Sequence, residues 1–253
     1  MSGILIDKAR AEMERAQGMA FPAVTGFKVG AAVLGASGAL VPGCNVEFAG
    51  GHPNATLHAE QTALANAWAR GETRIDAIYL TAAPCGHCRQ FMCELPAAHN
   101  LKVHDLSRGE EGVELGALLP SPFGPEALGI EDRFLGVPYP HRPGRKSGDM
   151  TDLAFEARNA SHAPYTGSAA GACVVHADGR RYTGAAIESV AMNPSVGPLH
   201  MALAVALLDG ADIRGIVAAA LVDTGSAPFS YADVSEAALR ACVGDIRLKC
   251  AEA

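Results

Sequence analysis

From Val29 to Leu34 the chain (VGAAVL) carries no polar side chain; a turn at Ser37-Gly38 follows, and then a second β-rich run ending in Gly43-Cys44-Asn45-Val46-Glu47. Two short apolar runs joined by a Gly-containing turn predict a β-hairpin. After a Pro-containing loop, a Leu57-His58 pair opens an Ala/Leu-rich run over 57–69 of helical length, and residues 77–82 read as a buried strand. The same order returns later in the chain. AGACVV at 170–175, a turn at Asp178-Gly179 and GAAIE at 184–188 predict a second hairpin. A Pro-containing loop, a Leu199-His200 pair opening a helix over 199–209, and a strand at 216–222 follow it. The order β-β-α-β-α, met twice, predicts an α/β fold made of a duplicated layered domain.

Between the copies lies GVPYPHRPGRKSGD, residues 136–149, whose three prolines and three glycines leave no apolar periodicity, so it reads as an extended linker. Domains are therefore expected at 1–135 and 150–253. Of the 253 residues, 49% are hydrophobic and 19% charged, which suits packed cores and not a disordered chain. The net charge of −7 argues against a phosphate-tracking surface, and the one basic patch (Arg142, Arg145, Lys146) falls in the linker. Nucleic acid is thus not an expected partner. The N-terminus brings charges before any signal-length apolar core, and the apolar stretch 199–208 is too short to span a bilayer. A soluble, cytoplasmic protein with no membrane partner is expected, and seven thinly spread cysteines fit reduced thiols.

The copies differ where chemistry would sit. His58-Ala59-Glu60 is set against His200-Met201-Ala202, so the second copy lacks the carboxylate. After its strand it reads Asp223-Thr224-Gly225-Ser226-Ala227-Pro228, where the first copy has Pro84-Cys85-Gly86-His87-Cys88. The first copy reads as chemical and the second as structural.

Cys-x-x-Cys by itself suits a redox pair or a structural zinc site equally well, and a lone histidine is more often an ordinary, partly buried one. Placed after a strand, however, Cys85 opens a helix running to about Leu95, and Cys88 shares its face. With His58 these make three protein ligands and leave a fourth tetrahedral position open, as in catalytic rather than structural zinc sites. Glu60, two residues from His58, can address a water there without being a ligand. The pattern H-x-E…P-C-x-x-C is a general signature of zinc deaminases. His87 is expected off the sulfur face, and Cys44, Cys93, Cys173, Cys242 and Cys250 as small buried hydrophobes.

Along nearly its whole length the chain resembles the cytidine deaminase family. The resemblance is carried by Phe27-Lys28-Val29-Gly30-Ala31-Ala32, Asn45-Val46-Glu47, His58-Ala59-Glu60-Gln61 and the segment from Ala83 to Phe91. Leu119-Pro120-Ser121-Pro122-Phe123-Gly124-Pro125 and Ser161-His162-Ala163-Pro164-Tyr165 add to it. It implies a three-layer domain, present twice, with a mixed β-sheet between helices, and one Zn²⁺ per chain. The implied reaction is deamination of cytidine and 2′-deoxycytidine to the uridines and ammonia, in pyrimidine salvage. Glu60 would carry protons first to ring N3 and then to the departing amine.

By resemblance Phe27 packs against the nucleoside, Asn45 and Glu47 hydrogen-bond the ribose 3′-hydroxyl, and Phe123 contacts the substrate. The backbone around Ala59, Ala83 and Cys85 borders the ligands and could contact the ring. His58 and Gln61, where the single-domain tetrameric branch usually has Cys and Arg, resemble the two-domain homodimeric branch. Two thiolates and a neutral histidine balance Zn²⁺ without a guanidinium. In that branch an aromatic of the partner's second domain closes the site; the matching residue here is Met192, a departure from the pattern. The rival readings are the same chemistry on a nucleotide, RNA or a cytosine-containing antibiotic, and a non-catalytic nucleoside-binding zinc protein.

Overall fold

The structure, a computed structural model, describes residues 3–109 and 111–253. The first half opens with helix α1 (Gly3–Met19), then the hairpin β1 (Gly30–Gly35) and β2 (Leu40–Cys44), helix α2 (Ala59–Ala69), strand β3 (Ile75–Leu80) and helix α3 (Gly86–Met92). Strands β4 (Lys102–Asp105) and β5 (Val113–Glu114) and the short α4 (Leu115–Leu118) close it. The second half repeats the order with α5 (Met150–Asn159), β6 (Ala170–His176), β7 (Arg181–Ala185), α6 (Pro198–Leu208), β8 (Ile216–Asp223), α7 (Ala232–Cys242) and β9 (Leu248–Glu252).

Each half holds one mixed sheet, in the order β2-β1-β3-β4-β5 and β7-β6-β8-β9. In both, the first strand is antiparallel to its two neighbours, while the crossover pairs β3–β4 and β8–β9 are parallel. The layered, duplicated α/β expectation therefore holds. Two glycines per half set how closely helices approach the sheet. A Cβ on Gly30 or Gly171 would strike the backbone of α1 or α5, and one on Gly43 or Gly184 the backbone of α2 or α6.

These contacts also set the register between the copies, and it differs from the one read from the sequence. Gly43 abuts Ala59 and Ala63, whereas Gly184 abuts Pro198 and Ala202. Ala59 thus corresponds to Pro198, and His58, the N-cap of α2, to Gly197, the N-cap of α6. His200 takes the place of Gln61, not of His58. The repeated Leu-His pair is a coincidence of sequence, three residues out of structural register. A second pair of contacts agrees: Thr62 Oγ1 accepts from Cys44 N–H at 2.9 Å, and Met201 Sδ from Ala185 N–H at 3.4 Å.

Every residue of α2 and all but Leu207 of α6 are buried. That accounts for their lack of an amphipathic period, since a helix covered on all sides is apolar all round. One hydrophobic cluster runs through both halves, including Leu64 and Trp68 of α2 with Leu199 and Leu203 of α6. Residues 136–149 contain no helix or strand, and they are laced to the body. Trp68 Nε1–H donates to the Val137 carbonyl at 2.7 Å, and its ring meets Phe134 and Tyr139 at 5.2 and 4.8 Å. The buried Tyr139 hydroxyl donates to Thr183 Oγ1 at 2.9 Å. The segment is a strap joining the two halves, not a loose tether.

Candidate active site

The site forms where β2 and β3 end. Beyond Cys44, Asn45 Oδ1 accepts from Val29 N–H at 2.8 Å, and its Nδ2–H donates to the Phe27 carbonyl at 2.9 Å, which holds the segment before β1 in place. The buried Glu47 accepts from the N–H groups of Val24 and Thr25, both at 2.8 Å, and from Thr25 Oγ1–H at 2.6 Å. Burial would raise its pKa, but these bonds outweigh it and hold the carboxyl below its ordinary range.

His58 caps α2 in extended conformation, and its N–H donates to Gln61 Oε1 at 3.0 Å. Glu60 sits in the first turn at 5% exposure, and burial pushes its pKa up. On the other side, Thr81 Oγ1 accepts from Gly30 N–H at 2.9 Å and ties the end of β3 to β1. Cys85 then caps α3, one turn before the buried Cys88.

This brings His58 Nδ1 to 3.5 Å from Cys85 Sγ and 3.3 Å from Cys88 Sγ, with the sulfurs 3.6 Å apart. A tetrahedral ion with bonds of about 2.3 Å to sulfur and about 2.0 Å to nitrogen needs sulfurs about 3.8 Å apart and each about 3.5 Å from the nitrogen. The donor set therefore fits zinc in both chemistry and spacing. Among the described residues it is the one such cluster found. The two sulfurs share a hydrogen bond that draws the Cys85 pKa below the ordinary thiol value, while the bond and burial push Cys88 up. Two thiolates this close repel one another, so ionising both calls for a cation between them. His87 stands outside the donor set and stacks on His58 at 5.2 Å, as its placement off the sulfur face implied.

A cavity of about 300 Å³ opens over this cluster. Phe27, Asn45, Glu47, Ala59, Glu60 and Ala83 all line it, together with His58 and Cys85, while Cys88 lies buried behind. Thr25, Val29, Thr56 and Ala82 line it too and escaped the sequence reading. Thr25 could have been found from the repeat, because Thr166 bonds Glu188 as Thr25 bonds Glu47. Phe27 is 64% exposed, a rim residue and not a core one. Phe123 does not reach this cavity: Gln90 Nε2–H holds its carbonyl at 2.7 Å, and the residue is 49% exposed. Within one chain, Phe123 is not among the residues that line the cavity. In the second half Gly197 replaces His58 and the loop 224–231 contains neither histidine nor cysteine, so no comparable donor set exists there.

Fold and donor set together define a zinc-dependent hydrolytic deaminase. The family model of the cytidine and deoxycytidylate deaminase zinc-binding region matches residues 5–102, and a second one of the same description matches residues 115–236. The chain is 40% identical over 223 residues to a cytidine deaminase of Vibrio vulnificus, covering 88% of this chain and 75% of that one. It is 38% identical over 246 residues to one of Vibrio atlanticus, covering 97% and 83%. A crystal structure of cytidine deaminase from Mycobacterium tuberculosis is 31% identical, covering 47% of this chain and 96% of that one at a TM-score of 0.42. The chain belongs to the cytidine deaminase family.

Proposed function

We propose that the chain hydrolyses cytidine, and 2′-deoxycytidine with it, to the corresponding uridine and ammonia, using His58, Cys85 and Cys88 as zinc ligands and Glu60 as proton carrier. One observation carries this reading: a single cavity is lined by His58, Cys85 and Glu60, with Cys88 buried behind them, and by Asn45 and Glu47 as well. Bound zinc supplies a water acidic enough to act as nucleophile near neutral pH. Glu60 takes a proton from that water and delivers it to ring N3, which makes C4 electrophilic. After water oxygen bonds to C4, Glu60 takes the remaining proton from the new C4 hydroxyl and passes it to the amino nitrogen; the C4–N bond breaks, the C4 carbonyl forms, and ammonia leaves. A carboxyl raised by burial suits a group that must hold and release a proton.

Asn45 and Glu47 would take the ribose hydroxyls, and the backbone at Ala59 and Ala83 the ring edge. No Lys or Arg lines the cavity, and Glu47 would repel a phosphate, which favours a nucleoside over a nucleotide. We read residues 1–135 as the catalytic domain and 150–253 as its degenerate copy, with one zinc per chain. Two chains would pair so that Met192, and with it Phe123, closes a partner's cavity. The exposure of Met192 (37%), Phe123 and Phe27 supports this. Met192 also holds a left-handed φ of 60°, a conformation that costs energy in a non-glycine residue and recurs at functional sites. Cytoplasmic pyrimidine salvage is the setting such a reaction fits, and no described helix is long and apolar enough to cross a membrane.

The test is turnover of cytidine, deoxycytidine, CMP and free cytosine by the purified protein, with zinc content measured beside it. Glu60→Ala should keep its zinc and lose at least ~10²–10⁴-fold in rate. Loss of the metal in that variant would make Glu60 a ligand and overturn the mechanism.

A further inference from the structure

The turn between β7 and α6 meets the metal-bearing half at two points. Gln61, three residues past His58, is buried; its Nε2–H donates to the Pro194 carbonyl at 2.8 Å while its Oε1 accepts from His58 N–H. Glu94, two residues past the end of α3, is fully buried. Its Oε1 accepts from Val190 N–H at 2.8 Å, and its Oε2 from the Tyr165 hydroxyl at 2.5 Å. Between these points the turn is closed on itself. Ser189 N–H donates to Ser195 Oγ at 2.9 Å, Met192 N–H to the Ser189 carbonyl at 2.8 Å, and Ser195 N–H to the Met192 carbonyl at 2.9 Å.

Helix α2 carries one predicted ligand at its start and α3 carries the other two. Each helix is therefore tied, through one buried polar side chain, to the same closed turn of the half that has no ligands. We propose that the turn 189–196 is a splint for the metal centre, and that Gln61 and Glu94 are positioning residues through which it sets the spacing of α2 and α3. The inference rests on the zinc reading of His58, Cys85 and Cys88.

The physical ground is short. Ligand atoms must sit within a few tenths of an ångström of ideal bond lengths, and partners behind the ligands typically govern metal affinity by about 10–100-fold. Three residues from adjacent helices do not hold that spacing by themselves, because His58 and Cys85 both sit at helix ends, where few intrahelical bonds restrain them. A buried carboxylate accepting from a backbone N–H, and a buried amide bridging two backbone groups, supply the missing restraint. The degenerate half thus acts on the metal centre of its own chain through Gln61 and Glu94.

The test is zinc affinity of the full-length chain by chelator competition, with thermal unfolding of the zinc-free protein alongside. Q61E keeps an oxygen for His58 N–H but sets the other against the Pro194 carbonyl; E94L removes the acceptor for Val190 N–H. Each should weaken zinc about 10–100-fold and shift the visible absorption of the Co²⁺-loaded protein away from that of the wild type. The double variant should lose less than the product of the two, because both act through one turn. S195A, which loosens the turn and touches neither helix, should weaken zinc by a smaller factor, and it carries the test if the others fail to fold. Variants that bind zinc as the wild type does, with only thermal stability reduced, would overturn the splint. A wild-type chain that takes up no zinc would instead overturn the ligand reading on which it rests.

Discussion

Glu47 and Glu188 occupy the same position in the two halves and make the same three bonds. Each accepts from two successive backbone N–H groups (Val24 and Thr25; Tyr165 and Thr166) and from the threonine hydroxyl of that loop. Only Glu47 has the zinc donor set beside it, so the carboxylate has a structural duty that does not depend on catalysis.

Glu47→Gln and Glu188→Gln should therefore both destabilise the protein at pH 7, by about 1–3 kcal/mol each, the usual worth of bonds to a charged acceptor. Only Glu47→Gln should also raise KM for cytidine. The folded-state pKa of Glu47 is lowered, so its contribution is present above the ordinary carboxylate value of 4.5 and fades as pH falls through the folded value. Denaturant midpoints of wild type and Glu47→Gln measured from pH 7 to pH 3 should converge at the acid end. A gap that stays constant would mean the charge plays no part.

His200 gives a second pH dependence of opposite chemistry. Its ring is buried edge-on to Phe48 at 4.8 Å, neither nitrogen has a hydrogen-bond partner, and burial lowers its pKa from 6.5 to about 4. Below pH 6.5 the unfolded chain binds a proton that the folded one refuses, so stability falls as pH drops toward 4, by about 3 kcal/mol over the window. His200→Leu should flatten that part of the profile and leave stability at pH 7 unchanged or higher. Thermal midpoints across pH 4 to 8 would show it.

Metal content separates the two halves directly. His58→Ala should lose zinc, whereas His200→Ala should retain one ion per chain, since His200 takes the place of Gln61 and belongs to no group of three possible metal ligands among the described residues. Two ions per wild-type chain in elemental analysis would contradict the reading of the second half as degenerate.

A chain cut after Gly136 retains every proposed zinc ligand and Glu60. It should nonetheless aggregate, because it uncovers the face of α2 that packs on α6 and removes the Val137 carbonyl from Trp68. For the full chain, light scattering over a dilution series should give twice the monomer mass, with Met192→Gly raising KM through the partner's cavity. A fully active monomer would refute shared sites and leave the zinc chemistry intact.

Much of the site was legible in the sequence because its parts are local. Three-residue spacing puts Cys85 and Cys88 on one helical turn, and two-residue spacing puts Glu60 beside His58, wherever the chain folds. Apolar hairpins around Gly turns revealed the duplication for the same reason. Other features depend on residues far apart. The match of Leu57-His58 with Leu199-His200 looked like a register, yet only the contacts of Gly43 and Gly184 reveal the three-residue offset. The linker composition did not foretell the burial of Tyr139, and the motif around Phe123 did not foretell the bond from Gln90 to its carbonyl. Gln61 and Pro194 are 133 residues apart. No local period or spacing records such a pair; it exists because two buried helices, α2 and α6, find in each other the apolar cover that neither half supplies alone.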